Sequence, residues 1–186
     1  MHTLLARTWM TTRTSAHDLA DLARTHGRHV YLTAYRVLGD SGLAEDVQQD
    51  VFMRLLENVP DDVQSWPAFL AALATRLAID RLRRRARWRN LLPRWLVGAP
   101  QPQDTTEQVA VDAERAAQLR GALAKLGGRD AECFALRYVE GFDVPDIAAA
   151  LGISTNLVSV TLHRAKQKLR ALLLDATETT SQETSR

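Results

Sequence analysis

Thr155, Asn156, Ser159 and His163 recur at helical spacing, and Arg164, Lys166, Lys168 and Arg170 follow directly. Hydroxyl, amide and imidazole groups on one helical face can exchange hydrogen bonds with base edges, while neighbouring cations suit phosphate oxygens. This is the chemistry of gripping a polyanion rather than of making or breaking a bond. A second basic set, Arg76, Arg83, Arg84 and Arg87, runs down another helical stretch and is punctuated by Trp88. Guanidinium groups interleaved with an aromatic ring suit single-stranded nucleic acid, whose exposed bases stack on rings. Asp80, four residues from both Arg76 and Arg84, is placed to pair with them. A third set differs in sign: Asp46, Gln49, Asp50, Met53 and Glu57 form an acidic, amide-rich stripe. It lacks the interspersed lysines of a merely soluble surface, and its methionine suits a protein contact.

The first set needs a helix held outward by a second helix. Residues 143–172 supply both. Val144, Ile147, Ala148 and Leu151 share one face of a short helix. Asp143 can cap its start, Asp146 stands where a capping-box acid would help, and Gly152 is its natural exit. Ser154 can cap a second helix, in which Val158, Leu162, Ala165, Leu169 and Leu172 recur at helical spacing. Two helices around a Gly-containing turn make a helix-turn-helix, a motif that puts the start of its second helix into the DNA major groove. The plainer alternative is an antiparallel helix pair whose polar face meets only water.

The charge arrangement agrees with two kinds of partner. The formal net charge is only +2. Yet between Asp40 and Asp62 almost every charge is acidic, and between Arg76 and Arg94 almost every charge is basic. Such segregation points to one basic partner and one polyanion. Hydrophobic content of 46% is enough for a packed core. Sparse Gly and Pro with abundant Ala, Leu and Arg favour an all-α chain. The single Cys133 excludes an internal disulfide framework and fits a reducing, cytoplasmic setting; beside Phe134 it reads as a buried structural thiol. No apolar run approaches membrane-spanning length, so no membrane insertion is expected. His26 and His29 lie one turn apart, but no third ligand completes a metal site, and no cofactor is implied. No nucleophile–base pair or phosphate-binding Gly loop is present, so the chain is not expected to be an enzyme.

In order, the chain reads as an N-terminal extension (1–16), a helical domain (17–92), a flexible linker (93–110), a second helical domain (111–174) and a disordered tail (175–186). The first domain holds helices over about 17–38, 43–57 and 68–90. A loop with Pro60 and Pro67 precedes the last of these, and Trp66 ends that loop. In the second domain helix starts near Val111 and stops at Gly127–Gly128. The next helix runs from about Arg129 to Glu140, with Phe134, Ala135 and Tyr138 inward.

The stretch LAEDVQQDVFMRLLE (43–57), then LAIDRLRRRAR (77–87), then LAKLGGRDAECFALRYVEGFDVPDIAAALGIS continuing to LHRAKQKLR, together resemble the extracytoplasmic-function sigma factors of bacterial RNA polymerase. The resemblance covers about Leu19 to Leu174. It implies two small helical domains, sigma region 2 and sigma region 4. It implies a transcription initiation factor whose partners are core RNA polymerase, through its beta-prime and beta subunits, and promoter DNA. It also admits an anti-sigma factor. On this resemblance Asp46, Gln49, Asp50, Met53 and Glu57 bind core polymerase. Asp61, Asp62, Gln64, Ser65, Trp66, Arg76, Arg83, Arg84, Arg87 and Trp88 engage the minus-10 element. Thr155, Asn156, Ser159, Val160, His163, Arg164, Lys166 and Lys168 engage the minus-35 element. The chain departs from the family in carrying Arg76 where an Asn is usual, and Leu157 to Thr161 where many members have Thr-Val-Lys-Ser-Arg. Two DNA-facing cations are thereby absent, at Ser159 and Thr161. Two other readings fit parts of the pattern. A free-standing helix-turn-helix regulator would leave the acidic stripe unexplained, and a protein-interaction module would leave the Arg helix unexplained.

Overall fold

The computed structural model describes residues 16–60, 62–91 and 107–183, and Asp61 and most of the expected linker lie outside them. The described residues form seven helices and no strand, an all-α fold. In chain order they are α1 (Ala16–Leu38), α2 (Ser41–Glu57), α3 (Trp66–Leu91), α4 (Glu107–Lys125), α5 (Gly128–Tyr138), α6 (Val144–Leu151) and α7 (Thr155–Glu183).

Local chemistry sets most boundaries. Gly39 leaves α1 at φ 65°, and Asp40 then caps α2, its carboxylate accepting from the Leu43 N–H at 3.1 Å. That backbone hydrogen bond, together with Arg85, holds the Asp40 carboxyl below the usual carboxylate range, against the effect of burial. Ala44, Val47, Val51 and Leu55 form the buried stripe of α2. The Ser65 hydroxyl accepts from the Ala68 N–H at the start of α3, and Pro67 sits in the first turn, where a missing N–H costs nothing. Trp66 therefore opens α3 instead of ending the loop.

Helix α3 is apolar on more than one side. Leu70, Ala74, Leu77, Ala78 and Leu82 are buried in the core with residues of α1 and α2. That same core takes in Leu123 and Leu126 at the end of α4, Ala131 and Ala135 of α5, and Ala165 and Leu169 of α7. Ala71 and Ala72 enter a second cluster with Cys133, Leu136, Ile147, Ala148, Val158 and Leu162. The halves before and after residues 92–106 are thus packed on each other through α3. The joining residues lie within the helices and include Leu123, Leu126 and Leu169 as well as alanines. Cys133 is fully buried, and burial pushes its thiol up to about 11, as expected for an inert structural cysteine.

Three further expectations are corrected. Helix α4 begins at Glu107, inside the span read as linker to residue 110. Helix α7 continues to Glu183, so residues 175–183 are helical rather than a disordered tail. No Gly or Pro follows Gly152 to stop the helix. Tyr138 points outward and is exposed, with the Lys166 ammonium 4.8 Å from its ring centroid.

Ile147 is fully buried in the second cluster. Ile147→Ala is expected to destabilise the chain by about 2–5 kcal/mol, read as a lowered urea midpoint. A loss below about 1 kcal/mol would mean that the cavity collapses and that this cluster does not hold α6.

Candidate nucleic-acid and polymerase-binding surfaces

The helix-turn-helix forms as its sequence dictates. The Asp143 carboxylate accepts from the Asp146 N–H at 3.0 Å, and Pro145 lies in the first turn of α6. Gly152 follows in the left-handed region at φ 63°, where a side chain would be strained. The Ser154 hydroxyl accepts from the Leu157 N–H at 3.2 Å and starts α7. The chain bends by 105° between α6 and α7, within the range of this motif. Among the described residues no single helix is long and apolar enough to cross a membrane.

The exposed start of α7 carries Thr155, Asn156, Ser159, Val160 and His163. Not all are free. The Ser159 hydroxyl donates to the Thr155 carbonyl at 3.0 Å, and His163 Nε2 lies 2.9 Å from the Gln167 amide. Leu157 and Val160 are 44% and 53% exposed, so two large apolar groups stand where the family often has polar or basic ones. On a helix that reads the major groove, such groups meet the thymine C5 methyl. Thr161 is fully buried, so the absence of a cation there removes nothing from the outer face.

Arg164 and Lys168 each make an ion pair within the chain while staying half-exposed. Both reach back to Asp130 of α5, Arg164 with its Nε 3.0 Å from Oδ1 and Lys168 with its Nζ 2.9 Å from Oδ2. The Asp130 side chain is only 3% exposed. Burial pushes its pKa upward, but the hydrogen bonds and charges of Arg164 and Lys168 outweigh that and leave it below the usual carboxylate range. Lys166 and Arg170 point away from this clamp and are exposed. Asp130 was invisible to local reading, since it lies 34 and 38 residues from its partners. Its one signal was an acid on an otherwise inward helical face.

The acidic stripe of α2 lies outward, with Met53 57% exposed and Gln49 and Glu57 also exposed. Asp46 and Asp50 share a partner within the chain: Arg81 of α3 donates to them at 2.8 and 2.6 Å. Burial works against the charge on Arg81, and the two carboxylates reverse that effect. The stripe is therefore partly neutralised from behind while its outer oxygens face solvent.

The residues expected to meet melted DNA are split. Asp62, Gln64 and Ser65 are exposed in the loop before α3, and Arg84, Arg87 and Trp88 are exposed along its second half. Trp66 is half-buried, packed on the core with its ring 5.9 Å from Phe69 in a T-shaped pair, so it supports the loop from below. Arg76 does not pair with Asp80; its Nε lies 4.0 Å from Glu132 of α5. Arg84 donates weakly to the Asp80 carbonyl instead. Arg83 turns across to donate to the Leu126 carbonyl at the end of α4. A cavity of about 700 Å³ is lined by Asp40, Arg81, Arg84 and Arg85, extending the basic face toward the start of α2.

Comparison with known proteins places these surfaces in context. The family model "Sigma-70 region 2" matches residues 22–88, and "Sigma-70, region 4" matches residues 116–169. The chain is 32% identical over 167 residues to the ECF RNA polymerase sigma factor SigE of Mycolicibacterium smegmatis, covering 87% of this chain and 64% of that protein. It is 32% identical over 155 residues to the ECF RNA polymerase sigma factor SigL of Mycobacterium tuberculosis, covering 80% of this chain and 84% of that protein. Among solved structures, CnrH in complex with the cytosolic domain of CnrY matches with a TM-score of 0.53 at 23% identity, covering 87% of this chain and 90% of that one. The sigma factor RpoE in complex with the anti-sigma factor NepR from Bartonella quintana matches with a TM-score of 0.51 at 19% identity, covering 84% of this chain and 96% of that one. These two structural likenesses concern the fold.

The Asp130 clamp has a definite pH signature. Because the folded carboxyl has a depressed pKa, its contribution is present above the unfolded value, near 3.8, and is lost as pH falls through the folded value. Asp130→Asn should therefore melt several degrees below the parent at pH 7, with the difference shrinking below about pH 4. A pH-independent difference would show that the clamp's charge contributes nothing.

Proposed function

The chain belongs to the sigma-70 family, within the extracytoplasmic-function sigma factors, and from that premise we propose that it directs bacterial core RNA polymerase to a defined promoter set and assists promoter melting. The observation that carries this reading is the order of the two matched regions on one chain, each supplying a surface of the required chemistry. Region 2 supplies the outward stripe of α2 and the Arg-rich half of α3. Region 4 supplies a helix-turn-helix with an exposed helix start.

Core polymerase is engaged by Asp46, Gln49, Asp50, Met53 and Glu57. In this assignment Met53 supplies desolvated area and the acids supply complementarity to a basic surface. The minus-10 element is engaged by the loop 61–65 and by Arg84, Arg87 and Trp88, with ring stacking on unpaired bases. The minus-35 element is engaged by Thr155, Asn156, Val160 and His163 at base edges, with Lys166 on phosphate. Two solved neighbours of similar fold are complexes, one of them described as a sigma factor with its anti-sigma factor, and this supports an anti-sigma factor as a further partner.

Run-off transcription with core polymerase on a library of genomic promoter fragments tests the reading. Discrete transcripts that depend on the chain are expected, and none in any fragment would overturn it. Met53→Arg with Glu57→Arg is expected to abolish those transcripts and to weaken capture of core enzyme at least tenfold, with unchanged circular dichroism. These two positions are preferable to Asp46 and Asp50, whose loss would also strip Arg81 of its partners. Unchanged capture would mean that the stripe meets only water.

A further inference from the structure

The cations of α3 fall into two classes. Three arginines have carboxylate partners: Arg76 approaches Glu132, Arg81 pairs with Asp46 and Asp50, and Arg85 pairs with Asp40. Arg83, Arg87 and Arg89 have no ion-pair partner among the described residues, and all three line one cleft of about 330 Å³. The facing wall is the end of α4, where Lys125 supplies a fourth cation and Gly121 and Ala124 form the floor. No carboxylate lines this cleft. Three other clefts in the molecule each hold at least one: Glu132 in one of about 430 Å³, Asp40 in one of about 700 Å³, and Asp62 with Asp146 in one of about 490 Å³.

The walls of the cationic cleft are fixed. The Arg83 guanidinium donates to the Leu126 carbonyl just past α4, which holds it between the helices. Leu123 and Leu126 are buried in the core that both halves share, so the α4 wall is anchored. Elsewhere between the halves Glu140 accepts from the Thr33 hydroxyl at 2.8 Å and from Arg36 at 3.0 Å, a second tie. The floor is low. Gly121 has open space where a Cβ would stand, with nothing within 4 Å. A glycine inside a helix costs about 0.5–1 kcal/mol relative to alanine. No positive φ requires one at this position. What the missing side chain leaves is room among the cations.

Four like charges around one concavity repel one another, and no acid in the cleft offsets them. A concave wall of one sign focuses its field, so an anion gains more there than over a flat surface. Three planar guanidinium groups and an ammonium suit phosphate oxygens, which accept from several directions at once. A volume of about 330 Å³ lies at the lower end of the range for small-molecule sites, about 300–1,000 Å³. That size suits a short chain of phosphates. Trp88 does not line the cleft, so ring stacking plays no part in it.

We propose that the cleft between α3 and the end of α4 is a binding site for a compact polyphosphate, the triphosphate group of a nucleotide or its inorganic counterpart, held by Arg83, Arg87, Arg89 and Lys125. The site does not rest on the function proposed above. Arg87 is shared with the face proposed for the minus-10 strand; Arg89, Lys125 and Gly121 are not. Because the cations come from both halves, a bound ligand stabilises the folded chain by mass action.

Isothermal titration calorimetry of the full chain with inorganic triphosphate and with orthophosphate reads the site. Triphosphate is expected to bind roughly tenfold more tightly than orthophosphate or better, with an affinity that falls as salt rises. It is also expected to raise the melting temperature. Gly121→Glu sets a carboxylate among the four cations and is expected to weaken triphosphate binding by roughly tenfold or more. Gly121→Ala is expected to keep the parent affinity and to melt no lower than the parent. Arg89→Ala with Lys125→Ala, both exposed, is expected to weaken triphosphate binding similarly and serves if Gly121→Glu does not fold. Adenosine triphosphate run beside the inorganic ion separates the two sources: tighter binding assigns a nucleotide, weaker binding the bare polyphosphate. Triphosphate that binds no better than orthophosphate overturns the proposal. So does equal triphosphate affinity in the parent and in both cleft variants, since the ion then sits elsewhere on the basic face. If Gly121→Glu weakens binding of a labelled single strand while triphosphate does not bind, the cleft is a track for a nucleic-acid backbone and the proposal is likewise overturned. Failure of run-off transcription alongside triphosphate binding that Gly121→Glu abolishes overturns the sigma assignment and not the site.

Discussion

Helix α3 can hold this fold together only by burying apolar side chains on two sides, and that constraint governs everything else in the molecule. Leu70, Ala74, Leu77 and Leu82 fill the core with α1 and α2, while Ala71 and Ala72 lie under α5 to α7. An apolar surface of that width leaves charged groups only on the second half of the helix and on a narrow strip of the first. Arg76, Arg81, Arg83 and Arg85 occupy the strips beside the packed surfaces, and each finds an acceptor on a neighbouring element. Arg84, Arg87 and Arg89 around Trp88 are exposed cations on the outer face of the second half of α3.

The same division between committed and available charge recurs at α7. A cation near a helix-turn-helix invites assignment to phosphate, but Arg164 and Lys168 close on a buried carboxylate. Their geometry fixes α5 against the recognition helix and so sets the angle at which Asn156 and Val160 are presented. Lys166 and Arg170 are exposed on α7 outside that ion-pair set. With few cations and two exposed apolar groups at its start, α7 on its own has weak means of holding duplex DNA. In the proposed role, tethering to a second DNA-bound domain would raise its effective concentration and relieve that weakness.

What was legible in the sequence was local. The cap at Asp143, the left-handed Gly152 and the Ser154 start each depend on residues within one turn of the backbone they control. The all-α class followed from the same kind of signal. What was not legible was non-local pairing. Nothing near Arg81 indicates that Asp46 and Asp50 are its partners, and nothing near Glu140 indicates Thr33. Tyr138 was misplaced because an aromatic at helical spacing reads as core, whereas it stacks outside with Lys166. The extent of α7 was missed because a polar, Thr-rich composition reads as a tail even where no residue breaks the helix.

The seam between the halves was the least legible feature, and the reason is physical. Surfaces meant to join permanently carry large apolar side chains that stand out at helical spacing. Here Leu123, Leu126 and Leu169 stand out no more than the other apolar residues of their helices, the alanines beside them are unremarkable in any helix, and the charged groups look like solvated surface until their partners are seen.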